Sequence, residues 1–146
     1  MSTVNHAITF YRCKGGHVDV GASQLHDLFA QAAKNLGYLT ATPSELESRK
    51  VKWAGTWNNT QVRRLQRDAS PEAFVDAFTK AVSTPQATSR VVLVTSSLSK
   101  RVVAVAFHEL ASGVSWPEAS HVHWLLLGFV DQCRTIGATP EIICGA

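Results

Sequence analysis

Histidines paired with carboxylates are the first places to look for chemistry in this chain. His108-Glu109 begins the pattern His-Glu-x-x-His, which places two imidazoles one helical turn apart against a single metal ion. Position 112 is serine, so the second ligand is missing and the pattern is not completed. His121-Val122-His123 sets two imidazoles at i and i+2. In a helix such positions diverge by about 200°, and no third ligand lies nearby in sequence. The plain reading is a polar first turn, with His121 exposed and His123 beside Trp124.

His17 and Asp19 also stand at i and i+2, after Gly15-Gly16, in a segment that reads as a strand. On a strand the two share a face, and a carboxylate that holds an imidazole is the orienting half of an acid/base pair. No Gly-x-Ser-x-Gly elbow or other marked nucleophile accompanies them. In His26-Asp27, near a helix start, the carboxylate is accounted for by the helix dipole alone. Both glycine-rich phosphate-loop patterns are absent, so nothing supports nucleotide binding through either. No cofactor and no metal site are expected.

The most distinctive segment is Arg49 to Arg67. It holds Arg49, Lys50, Lys52, Arg63, Arg64 and Arg67 and no acid, which leaves the remainder of a +3 chain net acidic. Trp53, Trp57 and the amides Asn58-Asn59 lie among these cations. Two kinds of partner suit the mixture. Trp and Arg dominate the energetic centres of protein interfaces, which points to Lys50, Lys52, Trp53, Trp57, Arg63 and Arg64 as a partner-binding patch. Cations that neutralise phosphates beside rings that stack on bases also suit RNA or single-stranded DNA, held through Arg49, Lys50, Lys52, Arg63, Arg64 and Arg67. The bland alternative puts the tryptophans in the core and leaves the cations as a solvated face.

Local patterns predict the elements that must position these residues. Val4 to Arg12 is rich in β-branched and aromatic residues, Cys13 to Gly16 is a turn signal, and His17 to Val20 alternates, which together predict a β-hairpin. Ser23 opens a helix whose apolar positions Leu25, Leu28, Phe29, Ala32, Ala33 and Leu36 lie on one face, with Gly37 as its stop. Pro43 or Ser44 starts a short helix through Ser48, Val51 to Trp57 reads as a strand, and Thr60 to Arg67 as a short helix. Ser70-Pro71 is an N-cap followed by Pro at the first helical position. That helix carries Phe74, Val75, Phe78 and Val82, and Thr84-Pro85 ends it.

Arg90 to Thr95 and Arg101 to Phe107 read as strands of a second antiparallel hairpin across Ser96 to Lys100. The second of these is apolar enough to be a central strand. A last helix runs from Pro117 or Ser120 to Ile136, with Gly137 as its cap. Trp124 to Val130 make it apolar around much of its circumference, which suits a buried central helix or a homodimer contact. Glu141 to Cys144 closes the chain as a short strand. The fold expected is α+β: an antiparallel or mixed sheet of two β-hairpins plus a short C-terminal strand, packed with three to four helices as a two-layer sandwich.

At 146 residues the chain has roughly the length of one domain, and a single globular domain over 1–146 is expected. With 45% hydrophobic and 17% charged residues and a mean hydropathy of zero, disorder is excluded by composition. No run approaches the roughly 18 apolar residues that cross a bilayer, and Met1 to Phe10 lacks the basic-then-apolar pattern of an export signal. Three scattered cysteines, Cys13, Cys133 and Cys144, form no disulfide framework and suit a reducing compartment. A cytoplasmic location without membrane contact is therefore expected. A small domain without a complete catalytic or metal pattern reads as a protein-binding inhibitor or adaptor of one macromolecule, of which an immunity protein that blocks a toxin is one form. The alternatives are a metal-independent ribonuclease, with His17 as acid/base oriented by Asp19, and a non-catalytic RNA or single-stranded DNA binder.

Overall fold

A computed structural model of the protein describes residues 7–15, 22–58, 60–66 and 69–145. In chain order its elements are β1 (Ala7–Lys14), α1 (Ala22–Leu36), a 3-10 turn (Gly37–Thr40), α2 (Pro43–Glu47), α3 (Lys50–Ala54), α4 (Pro71–Ser83), β2 (Thr88–Ser99), α5 (Lys100–Ala111), α6 (Pro117–Thr135) and β3 (Ala138–Gly145). The chain divides into two compact units, Met1–Ile8 with Tyr38–Thr88 and Thr9–Gly37 with Ser89–Ala146.

The second unit is built on an open, all-parallel sheet in the order β1-β2-β3. This overturns the expected pair of antiparallel hairpins. The return strand of the first hairpin, His17 to Val20, lies outside the described residues; β1 instead borders β2. The second hairpin fails because β2 runs straight through the expected loop as far as Ser99, and the chain then turns into α5 rather than back into the sheet. Ser99 caps α5, its Oγ accepting from the Val102 N–H at 3.4 Å. Val103, Ala106, Phe107 and Leu110 then recur at i, i+3, i+4 and i+7, the period of one helical face. The run of valines carries a β propensity that this packing overrides.

Parallel neighbours need a long crossover, and α5 and α6 supply it between β2 and β3. Those strands pair from Ser89 opposite Ala138 to Thr95 opposite Cys144, and the register slips between Thr95 and Ser99. As the central strand, β2 is covered on both faces, with Val91, Val92, Leu93, Thr95, Ser97 and Leu98 all buried. Burial of a side chain such as Leu93, with no exposure left, contributes about 1.5–3 kcal/mol. Arg90 and Glu141 form a half-exposed ion pair across β2 and β3, which adds little.

Both long helices of this unit were legible from their periodicity. Helix α1 buries Leu25, Leu28, Phe29, Ala32 and Leu36. Its partner α6 buries Ala119, Val122, Phe129 and Cys133, with Phe29 and Phe129 ring to ring at 5.7 Å. The expected cap at Gly137 is present: its φ is +72°, and its N–H donates to the Arg134 carbonyl at 3.0 Å. The expectation that α6 is buried around its circumference is corrected, since Trp124 and Leu127 are exposed on its other side.

In the first unit, α2 is held by a full capping box. Thr42 Oγ1 accepts from the Glu45 N–H, and the Glu45 carboxylate accepts from the Thr42 N–H at 2.7 Å. Those bonds, the backbone one foremost, hold the Glu45 carboxyl below its ordinary pKa. Ser70 caps α4 as expected, its Oγ accepting from Ala73 N–H at 3.1 Å. Val75, Phe78 and Ala81 form the buried face of α4. The strand expected over Val51 to Trp57 is instead helix α3 followed by an extended arm. The helix expected over Thr60 to Arg67 is, across its described residues, the returning arm and turns. None of the described helices is long and apolar enough to cross a membrane.

Candidate functional site

Gly55 ends α3, and the chain then makes a short antiparallel excursion. Thr56 and Arg63 form an isolated bridge; the Trp57 N–H donates to the Val62 carbonyl at 2.9 Å and the Arg64 N–H to the Gly55 carbonyl at 3.1 Å. The Thr60 N–H donates to the Trp57 carbonyl, closing the tip. Asn58 sits at φ +36°, a left-handed conformation that asparagine tolerates better than most residues.

This bonding decides which side chains share a face. Trp57 and Val62 lie opposite one another, with Arg64 on the same side, while the pleat turns Thr56 and Arg63 to the other side. The Arg64 guanidinium stacks over the Trp57 ring at 4.2 Å, and its Nε donates to the Thr56 carbonyl at 3.0 Å. Trp57 and Val62 are 51% and 55% exposed. A large ring, a planar cation and a branched aliphatic are thus held at the surface on one short excursion.

The other residues of the expected patch are placed differently. Trp53 is half-buried and meets Phe74 edge-on at 4.9 Å, with Phe74 in turn against Phe78, so it is part of the packing of this unit. Lys50 pairs with Glu47 at 2.8 Å. That bond, reinforced by the fields of Glu72 and Asp76 on α4, pushes the Lys50 amine above its ordinary pKa. The guanidinium of Arg49 lies over the Tyr38 ring at 4.4 Å. Lys52 and Arg63 are exposed. The acids facing Lys50 lie outside the acid-free stretch in sequence, so counting charges along the chain could not reveal them. Val62, which completes the exposed face, carried no sequence signal of its own.

His17, Asp19, Asn59 and Arg67 lie outside the described residues. His108 and Glu109 stand in the last turn of α5 rather than after a strand. His121 is exposed, and His123 packs against Phe107 at 5.0 Å and Trp124 at 6.3 Å. Among the described residues no three His, Cys, Asp or Glu side chains are grouped to hold a metal ion. Cys133 is buried, and that burial pushes its thiol pKa up to about 11, while Cys13 is exposed and Cys144 half-buried. No family model, curated protein or solved structure matches the chain.

Proposed function

We propose that the protein is a protein-binding module, an inhibitor or adaptor of one macromolecular partner in the cytoplasm, that makes its central contact through Trp57, Val62 and Arg64. One observation carries the reading: an exposed Trp57 is held by the stacked Arg64, whose Nε is bonded to the Thr56 carbonyl. Trp and Arg supply much of the energy at interface centres, and a ring ordered before binding loses less entropy on contact. The neutralisation of a toxin is one form this activity takes.

The distribution of charge supports a protein partner over a phosphate backbone. Lys50 faces Glu47, Glu72 and Asp76, while Arg49 and Arg64 lie over aromatic rings. A nucleic-acid track instead presents its cations outward along one groove.

The test compares the full chain with Trp57→Ala, Arg64→Ala and Arg63→Ala in gentle capture from native lysate. The reading expects one stoichiometric protein with the unaltered chain, its loss with Trp57→Ala and Arg64→Ala, and its retention with Arg63→Ala, on the opposite face. Co-purified nucleic acid that leaves as salt is raised would overturn it in favour of phosphate binding.

A further inference from the structure

Helix α6 presents a surface independent of the Trp57 excursion. Opposite its buried stripe, His121, Trp124, Gly128 and Asp131 recur at spacings of three and four, which places them on one face. Trp124 is 70% exposed. Gly128, one turn further on, stands inside a 19-residue helix, where glycine is an unfavourable choice. A Cβ added there would meet nothing within 4 Å beyond the helix's own backbone. Nothing among the described residues therefore demands a missing side chain at this position. With Ala30 and Ala33 of α1, Gly128 instead lines an open groove that also runs past Trp124.

The stripe is self-complementary. Trp124 and Gly128 lie equally far from Leu126 on either side, and so do His121 and Asp131. A large ring is matched with an empty position, and an imidazole with a carboxylate. One occupant satisfies both pairings at once: the same helix running the opposite way, with a two-fold axis that passes the helix level with Leu126. The geometry points to a homodimer in which two α6 helices pack antiparallel. Trp124 then sits over the partner's Gly128, and His121 faces the partner's Asp131.

Sedimentation of the full chain over a dilution series from about 100 µM to below about 1 µM, which spans a dimer of micromolar Kd, tests this directly. The unaltered chain sediments as a dimer at the upper concentrations. Trp124→Ala raises Kd by about 30-fold or more, as loss of a central interface tryptophan does. Gly128→Leu, which fills the space the ring would occupy, raises Kd to a similar extent. Both positions are open to solvent or groove, and circular dichroism identical to the unaltered chain establishes that loss of dimer is not loss of fold.

The register has its own test. His121→Glu sets two carboxylates face to face and weakens the dimer by about fivefold, and adding Asp131→Lys restores it. A monomeric unaltered chain overturns the proposal, as does a dimer that survives both Trp124→Ala and Gly128→Leu. A dimer abolished by Trp57→Ala and not by Trp124→Ala also overturns it, because the contact would then belong to the Trp57 face. The protein-binding reading of Trp57 stands or falls separately, since neither α6 variant alters a residue of the Trp57 excursion.

Discussion

Arg64 lies over the ring of Trp57 at 4.2 Å, while Trp53, only four residues earlier, is turned onto Phe74. The end of α3 at Gly55 marks the division. Trp57 lies beyond it, so the two tryptophans do not share the helical face that a spacing of four would give them. The chain thereby divides one aromatic pair into a packing residue and a surface residue. Arg64 further lowers the freedom of the surface ring, because the bond from its Nε to Thr56 fixes the guanidinium.

That division predicts opposite consequences for two chemically identical substitutions. Trp57→Ala weakens partner binding by about 2 kcal/mol or more and leaves unfolding unchanged within about 0.5 kcal/mol. Trp53→Ala removes half-buried area and an edge-on ring contact, and lowers unfolding stability by roughly 2 kcal/mol. Urea unfolding of both variants, beside binding measured by calorimetry once the partner is isolated, checks the pair. Equal destabilisation by the two would place Trp57 in the core.

The caps and stripes of α1, α4 and α6 were legible because each depends only on residues within a few positions of one another. Ser70, Pro71 and Gly137 act locally, and the apolar stripes of α1 and α6 need only a period. Strand partnership is not local. Arg90 to Thr95 and Arg101 to Phe107 are alike in composition, yet one is central in the sheet and the other is a helix. The decision rests on the Ser99 cap and on Val103, Ala106, Phe107 and Leu110 falling on one helical face. The candidate site was legible in part for the same reason. A cluster of cations and tryptophans could be seen, but the acids that face Lys50 come from α2 and α4.

Helix α5 can be tested against the strand it replaces by a single exposed residue. Val105 is 51% exposed on α5. In a helix Val→Ala removes a β-branched side chain and contributes about 0.5 kcal/mol of stability; in a central strand it would cost buried area. Val105→Ala therefore raises Tm slightly or leaves it unchanged. A fall of several degrees would return the segment to a strand.

Loss of the α4 cap has a defined size. Ser70→Ala leaves the Ala73 N–H without the Oγ that accepts from it at 3.1 Å, and costs about 1 kcal/mol. Ser70→Asp keeps an acceptor beside the helix N-terminus and restores most of that loss. Denaturant midpoints of the two variants measure the difference, and equal midpoints would remove the cap from the account of this helix.

Cys133 links the packing of α6 to pH. Its side chain is fully buried, and that burial pushes the thiol up to about 11 from an ordinary value of 9.0. Between those values the unfolded chain releases the thiol proton and the folded chain retains it. The unfolded state then binds fewer protons, so stability falls as pH rises through this window. The contribution is fully present below pH 9 and is lost by about pH 11, amounting to roughly 2 kcal/mol. Lysines and tyrosines titrate in the same range, so the measurement is a difference. Unfolding free energies of the unaltered chain and of Cys133→Ala are compared at steps from pH 8 to 11. The variant is less stable at pH 8, because it leaves a small cavity, and its curve falls less steeply above pH 9. Thiol labelling gives the same answer by another route: exposed Cys13 reacts at once, whereas Cys133 reacts only as fast as the unit around it opens. Parallel stability curves, or rapid labelling of Cys133 in the folded protein, would contradict its burial on the core face of α6.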